Sequence, residues 1–254
     1  MNLVSFELEG DFAAFKDPSV TTNQIVYTIP SKSAVIGLIG ALIGIDRPNS
    51  LKEAYSSDYL TLLKSTSIGI TVNNAPQKVT FFTNHRSLKE PKTKPFKTEL
   101  LISPNYTIFV NSKDETTKKL LAVLENSSFK YCPTLGHAYC LARIPSHQTH
   151  IAKEVDPSSR WTSSVILDEA LETESPMSAY GFNFNPDIPR RIMLERHLHH
   201  YFTNSVLERR VLRHWIPTPV NGKRSKCQLQ PRRKLSLVKF VQLNNEEDEA
   251  VCLY

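Results

Sequence analysis

The chain has 254 residues, 40% of them hydrophobic, and a formal net charge of +6. These values fit a globular protein with its core in one large domain or two small ones, and the positive balance favours an anionic partner. Four cysteines, at 132, 140, 227 and 252, show no CxxC spacing. That argues against a disulfide framework or a zinc site, and no cofactor or metal is expected.

Residues 2–9 alternate apolar and polar side chains and predict a strand. The loop FAAFKDPSVTTNQ follows. The stretch VYTIPSKSAVIGLIGALIGI (26–45) then has no polar side chain from Ala34 to Ile45. A membrane-spanning helix needs about 20 apolar residues. This run is shorter and ends at Arg47 and Pro48, so it predicts a buried helix and no membrane partner. With no signal peptide evident, a cytoplasmic protein is expected. Neither a dinucleotide fingerprint nor a P-loop is present. Gly37, Gly40 and Gly44 fall on one helix face and predict close packing against another backbone. Pro30 ends the extended VYTI, and Ser31 or Ser33 serves as N-cap. Lys32, beside free helix N–H groups, fits either a phosphate seat or a capped core helix with a solvated lysine.

SLKEAYSSDYLTLLKS (50–65) predicts a second helix. TSIGITVNN and KVTFFTN read as strands, followed by HRSLKEPKTKPFKTE and two short strands, LLISP and YTIFV. DETTKKLLAVLEN (114–126) is an amphipathic helix with acids in its first turn, as the helix dipole favours. AYCLARI (138–144) reads as a strand. This order predicts an α+β fold: a ferredoxin-like (RRM-like) βαββαβ domain over 1–150, with an extended β-hairpin thumb at about 84–99. A smaller C-terminal region spans 151–254. There MLERHLHHYFTNSVLERRVLRHW (193–215) reads as helical in part, and KLSLVKFVQL as a strand.

The thumb carries Arg86, Lys89, Lys92, Lys94 and Lys97, opposed only by Glu90 and Glu99. Cations on a protruding hairpin engage several phosphates at once without reading sequence. The cluster GKRSKCQLQPRRK fits nucleic-acid binding or a mobile loop equally well. Arg190, Arg191, Arg196, Arg209, Arg210 and Arg213 are interleaved with Glu195 and Glu208, which predicts a solvated helix face. On a helix, His197, His199 and His200 do not present three ligands to one ion, so no metal site is expected. His137 follows Gly136 in TLGHAY. It suits either general acid–base work on a 2′-hydroxyl or a plain turn.

Several of these residues together resemble the CRISPR-associated Cas-five family of the RAMP superfamily. They are Gly10 with Phe12, Ala13, Phe15 and Lys16, the block Val26 to Ala34, and Gly37 to Ala41. Thr98 to Leu101, Pro104, Tyr106, Leu135 and Gly136 continue the likeness, which is strongest over 1–145 and is closest to type I-B members. The resemblance implies a non-catalytic subunit of a type I Cascade surveillance complex that serves antiviral defence. It implies that the protein holds the 5′ handle of crRNA and packs against the seven-family backbone subunit and the large subunit. Target DNA is met through the assembled complex. The residues implied near RNA are Lys16, Tyr27, Ser31, Lys32, Ser33, Arg86, Lys89, Lys92, Lys94, Lys97, Gly136 and His137. One branch of the family cleaves precursor crRNA with a Tyr, Lys and His set, which makes a metal-independent endoribonuclease the alternative. Tyr27, Lys94 and His137 are candidates of those types here.

Overall fold

The computed structural model describes residues 1–254 except 22, 49–54, 87–91, 169–178, 185, 188–189, 204–205, 233 and 245–247, and except the side chains of 200–207. The protein is a mixed α/β structure in which strands dominate. β1 (Asn2–Gly10) and β2 (Phe12–Ala13) precede α1 (Lys32–Ile43) and α2 (Ser57–Ser65). Next come β3 (Ser67–Val72), β4 (Gln77–Arg86), β5 (Thr93–Ile102) and β6 (Asn105–Asn111). α3 (Asp114–Glu125), β7 (Ala142–Arg143) and β8 (His147–Glu154) complete the N-terminal half. After a 3-10 turn at Pro157–Ser159 the described elements are all strands. They are β9 (Trp161–Thr162), β10 (Ile166–Asp168), β11 (Tyr180–Phe184), β12 (Ile192–Thr203) and β13 (Val206–Pro217), then β14 (Cys227–Pro231), β15 (Lys239–Leu243) and β16 (Ala250–Leu253).

The main sheet runs β16-β15-β8-β1-β6-β3, with β7 also on β1, and its neighbours are antiparallel. Alternation along β1 sends Val4, Phe6 and Leu8 to a core shared with α1 and α3, and Leu3 to a second cluster on the other face. That second cluster holds Phe109, Ala152, Val241, Leu243, Val251 and Leu253. The sheet curls until its ends meet: Tyr254 and Ile68 exchange two backbone hydrogen bonds of 2.9 Å. Gly69 permits this closure, because a Cβ there would lie 2.7 Å from Val251 Cγ1 and 2.9 Å from the Cys252 carbonyl oxygen. α1 is apolar nearly all round, and Ile36, Ile39 and Leu42 are fully buried. Burial of such a side chain stabilises by about 1.5–3 kcal/mol. No helix among the described residues is long and apolar enough to cross a membrane.

Several sequence expectations change. Ser31, not Ser33, caps α1: its Oγ accepts from the Ala34 N–H at 3.3 Å. The glycine face does not meet a foreign backbone. A Cβ on Gly37 would touch nothing within 4 Å, one on Gly40 would make ordinary contacts with Ile45 and Leu62, and Gly44 is the left-handed C-cap. The second helix runs Ser57–Ser65 behind a Ser56 cap, and residues 50–54 of its expected span lie outside the described residues.

The stretch 193–215 is not helical; it forms the long antiparallel pair β12–β13. Its inward residues, Glu195, His197 and His199, recur at every second position, which is strand periodicity. The arginines there are not a helix face either, and Arg213 is buried 3.5 Å from Asp168. Of the strand expected over 138–144 only Ala142–Arg143 forms one, β7, which pairs with the end of β1, while residues 135–140 form a tight turn and β8 pairs with the rest of β1.

Candidate nucleic-acid interface

β4 and β5 pair from Gln77↔Ile102 to Arg86↔Thr93, making a ten-residue antiparallel ribbon. Its root is held by β2, through Phe12↔Ile102 and Ala13↔Leu101, and by buried Leu100 and Leu101. Its outer part is exposed, including Arg86, Lys92 and Lys94. Lys89 lies outside the described residues. Register splits the cations between the two ribbon faces. Arg86 and Lys97 share a face with Phe82, which pairs with Lys97, and Lys94 lies opposite His85 on the other. Lys97 is half-buried at the root, with Nζ 3.9 Å from Glu99. Phe82 is 73% exposed, a large apolar side chain standing among the cations.

Residues 14–28 thread along this root. Lys16 bridges Val26, and the Tyr27 N–H donates to the Phe15 carbonyl at 2.8 Å. Gln24 then pairs with the thumb itself. Its N–H donates to the Lys97 carbonyl and its carbonyl accepts from the Glu99 N–H, both at 2.9 Å. The Gln24 side chain donates to the Glu99 carbonyl at 3.3 Å, which turns Oε1 towards His137 Nε2, 3.0 Å away. His137 therefore carries its proton on Nε2. The His137 turn is rigid: Leu135 N–H donates to the Cys140 carbonyl at 2.7 Å, and Ala14 N–H donates to the Leu135 carbonyl at 2.8 Å. Gly136 sits at φ +95°, and a Cβ there would lie 2.2 Å from the Ala14 carbonyl oxygen, so only glycine fits.

A second joint holds the approach to α1. The Glu195 carboxylate accepts from the Thr28 N–H at 2.9 and 3.0 Å, from Thr28 Oγ1 at 3.0 Å and from His197 Nε2 at 2.8 Å. Lys78 Nζ lies 3.9 Å from it and donates to the Val26 carbonyl at 2.6 Å. Burial works to raise the Glu195 pKa, but the bonds from His197 and Thr28, with Lys78 nearby, hold it below the usual value. Tyr27 is buried, stacked on His197 with centroids 3.9 Å apart, and its hydroxyl donates to Asp17 at 3.0 Å. Burial pushes its pKa up to about 12. Ser31 and Ser33 hydroxyls lie 3.0 Å apart at the helix start. Lys32 is half-buried there, and burial lowers its pKa to about 8. No ion pair to Lys32 is present among the described residues.

The structure thus joins the thumb root, the Gly136–His137 turn and the α1 start through one segment, residues 14–28. Tyr27 is a packing residue within it, not a surface one. Gln24 and Lys78 were not singled out by sequence reasoning, and Glu195 and His197 were assigned to a helix rather than to this joint. The every-second-residue spacing of Glu195, His197 and His199 was the one available signal. In the second basic cluster Lys226 is neutralised by Glu249 at 2.7 Å, and Arg224 keeps its charge while donating to the Asn73 amide oxygen at 3.0 Å. Among the described residues no group of three His, Cys, Asp or Glu is arranged to hold a metal ion.

A curled antiparallel sheet thus carries a cationic ribbon, with a half-buried lysine at the start of α1. The family described as CRISPR-associated protein (Cas_Cas5) matches residues 3–226, and the chain belongs to it. The fold is similar to the crystal structure of a CRISPR protein from Archaeoglobus fulgidus, with a TM-score of 0.58 at 12% identity over 99% of both chains. A weaker likeness, TM-score 0.47 at 13% identity, covers 87% of this chain and 91% of a chain in a CRISPR RNA-guided surveillance complex. No curated protein matches the sequence.

Proposed function

We propose that this protein is a non-catalytic subunit of a type I Cascade complex, of the I-B kind, that grips the 5′ handle of crRNA. It packs against the seven-family backbone subunit and the large subunit in the cytoplasm, and meets target DNA through that assembly. The observation that carries this reading is the Gln24 joint, which fastens the thumb root to the His137 turn on the segment leading to Lys32. Phosphates running along the Phe82 face of the ribbon to the α1 start would meet Arg86, Lys97, Lys16 and Lys32, with Lys94 serving the opposite face. An ammonium already desolvated recovers favourable charge interaction when a phosphate reaches it. The strand order β8-β1-β6-β3, with α1 and α3 as the crossovers, supports a ferredoxin-like βαββαβ core.

The non-catalytic reading is supported by how the three candidate residues Tyr27, Lys94 and His137 are placed. Tyr27 spends its hydroxyl on Asp17 and its ring on His197, His137 donates to Gln24, and Lys94 stands out on the ribbon. The test is incubation of the pure protein with labelled repeat RNA, with and without EDTA. Salt-dependent binding without cleavage is the expected result. Specific EDTA-resistant cleavage upstream of the handle would replace this reading with the endoribonuclease.

A further inference from the structure

We propose that Tyr139, backed by His137, is a stacking platform for one unpaired nucleobase. Tyr139 is 61% exposed, yet its ring lies 5.1 Å from that of His137 at an interplanar angle of 8°. An exposed aromatic ring is ordinarily free to move; this one stands on a built support. Gly136 admits no other residue, the Leu135–Cys140 bond closes the turn, and Gln24 holds His137 from behind. The ring is therefore preorganised, and little conformational freedom is lost when a base stacks on it. Its position matters as much as its rigidity. Gln24 is itself a backbone partner of Lys97 and Glu99, so the platform stands one residue contact from the thumb root. Single-strand binders combine such a cationic track with aromatic rings that stack bases whatever their identity. The ligand class is single-stranded RNA, and this inference rests on the handle reading above.

The experiment uses the full chain and single-stranded repeat RNA carrying 2-aminopurine at one handle position at a time. One position is expected to be quenched on binding. Tyr139→Ala abolishes that quenching and weakens binding about 5- to 150-fold, while Tyr139→Phe keeps both. The salt dependence of Tyr139→Ala matches the parent, since stacking releases no counterions. A thermal melt on each variant shows that folding is intact. Parent-like quenching and affinity in Tyr139→Ala would overturn the platform and leave handle binding standing. So would normal RNA binding with failure to join the backbone subunit, which marks a protein-docking surface beside exposed Leu141. If the parent chain binds no RNA, the platform and the handle reading fall together.

Discussion

Replacing Glu195 with Ala tests the joint between residues 14–28 and the β12–β13 hairpin. The substitution strips acceptors from the Thr28 N–H, the Thr28 hydroxyl and His197 Nε2, which lie 2.8–3.0 Å from the carboxylate. Each buried donor left unpaired costs about 1–3 kcal/mol. The hydroxyl can rotate to another partner and Lys78 keeps its bond to Val26, which leaves the Thr28 N–H and His197 Nε2, so a loss of about 2–4 kcal/mol is expected. With a urea m-value of about 2–3 kcal/mol/M, the unfolding midpoint falls by about 1–2 M. pH gives an independent check. The folded pKa of Glu195 is below its ordinary value of 4.5. The charged carboxylate therefore stabilises the fold above pH 4.5, and that stability is lost as pH falls through the folded pKa. The difference between the parent and Glu195→Gln should be constant at neutral pH and shrink in acid. His214, whose pKa burial drives well below its ordinary 6.5, loses stability in acid in both proteins and cancels in the comparison. A midpoint shift under about 0.3 M for Glu195→Ala, with no pH-dependent difference for Gln, refutes the reasoning.

Three further outcomes follow from the same geometry. Gly136→Ala places a Cβ 2.2 Å from the Ala14 carbonyl oxygen at φ +95° and should cost about 3 kcal/mol or more, read as a lowered melting temperature. Gly37→Ala meets open space within 4 Å, so helix propensity alone decides and the melting temperature should rise, by about 1 kcal/mol of added stability. A lowered value would place a neighbour against that face. Replacing Arg86, Lys92 and Lys94 with Ala should flatten the salt slope of single-stranded RNA binding by about 2, at roughly 0.7 per phosphate contact. An unchanged slope removes the ribbon tip from the interface.

Local chemistry was legible along the chain. The capped apolar helix, the acids at the start of α3, the strand at 2–9 and a cationic hairpin all follow from patterns a few residues long. The β12–β13 strands were misread because two periodicities compete where charged and histidine residues crowd together. Only their burial against Tyr27, Thr28 and Tyr254 selects the period of two. The glycines of α1 looked like a packing face by spacing, yet what stands opposite a helix face is set by distant parts of the chain. The candidate interface was half visible. Its cations and its Gly-His turn are sequence features, whereas Gln24, Lys78 and Glu195 acquire their roles from partners 52 to 167 residues away. Hydrogen bonds at such separation leave no periodic trace. For the same reason the tertiary structure alone decides that Tyr27 is buried, that the thumb's cations face two ways, and that Tyr139 is held out to solvent on a rigid turn.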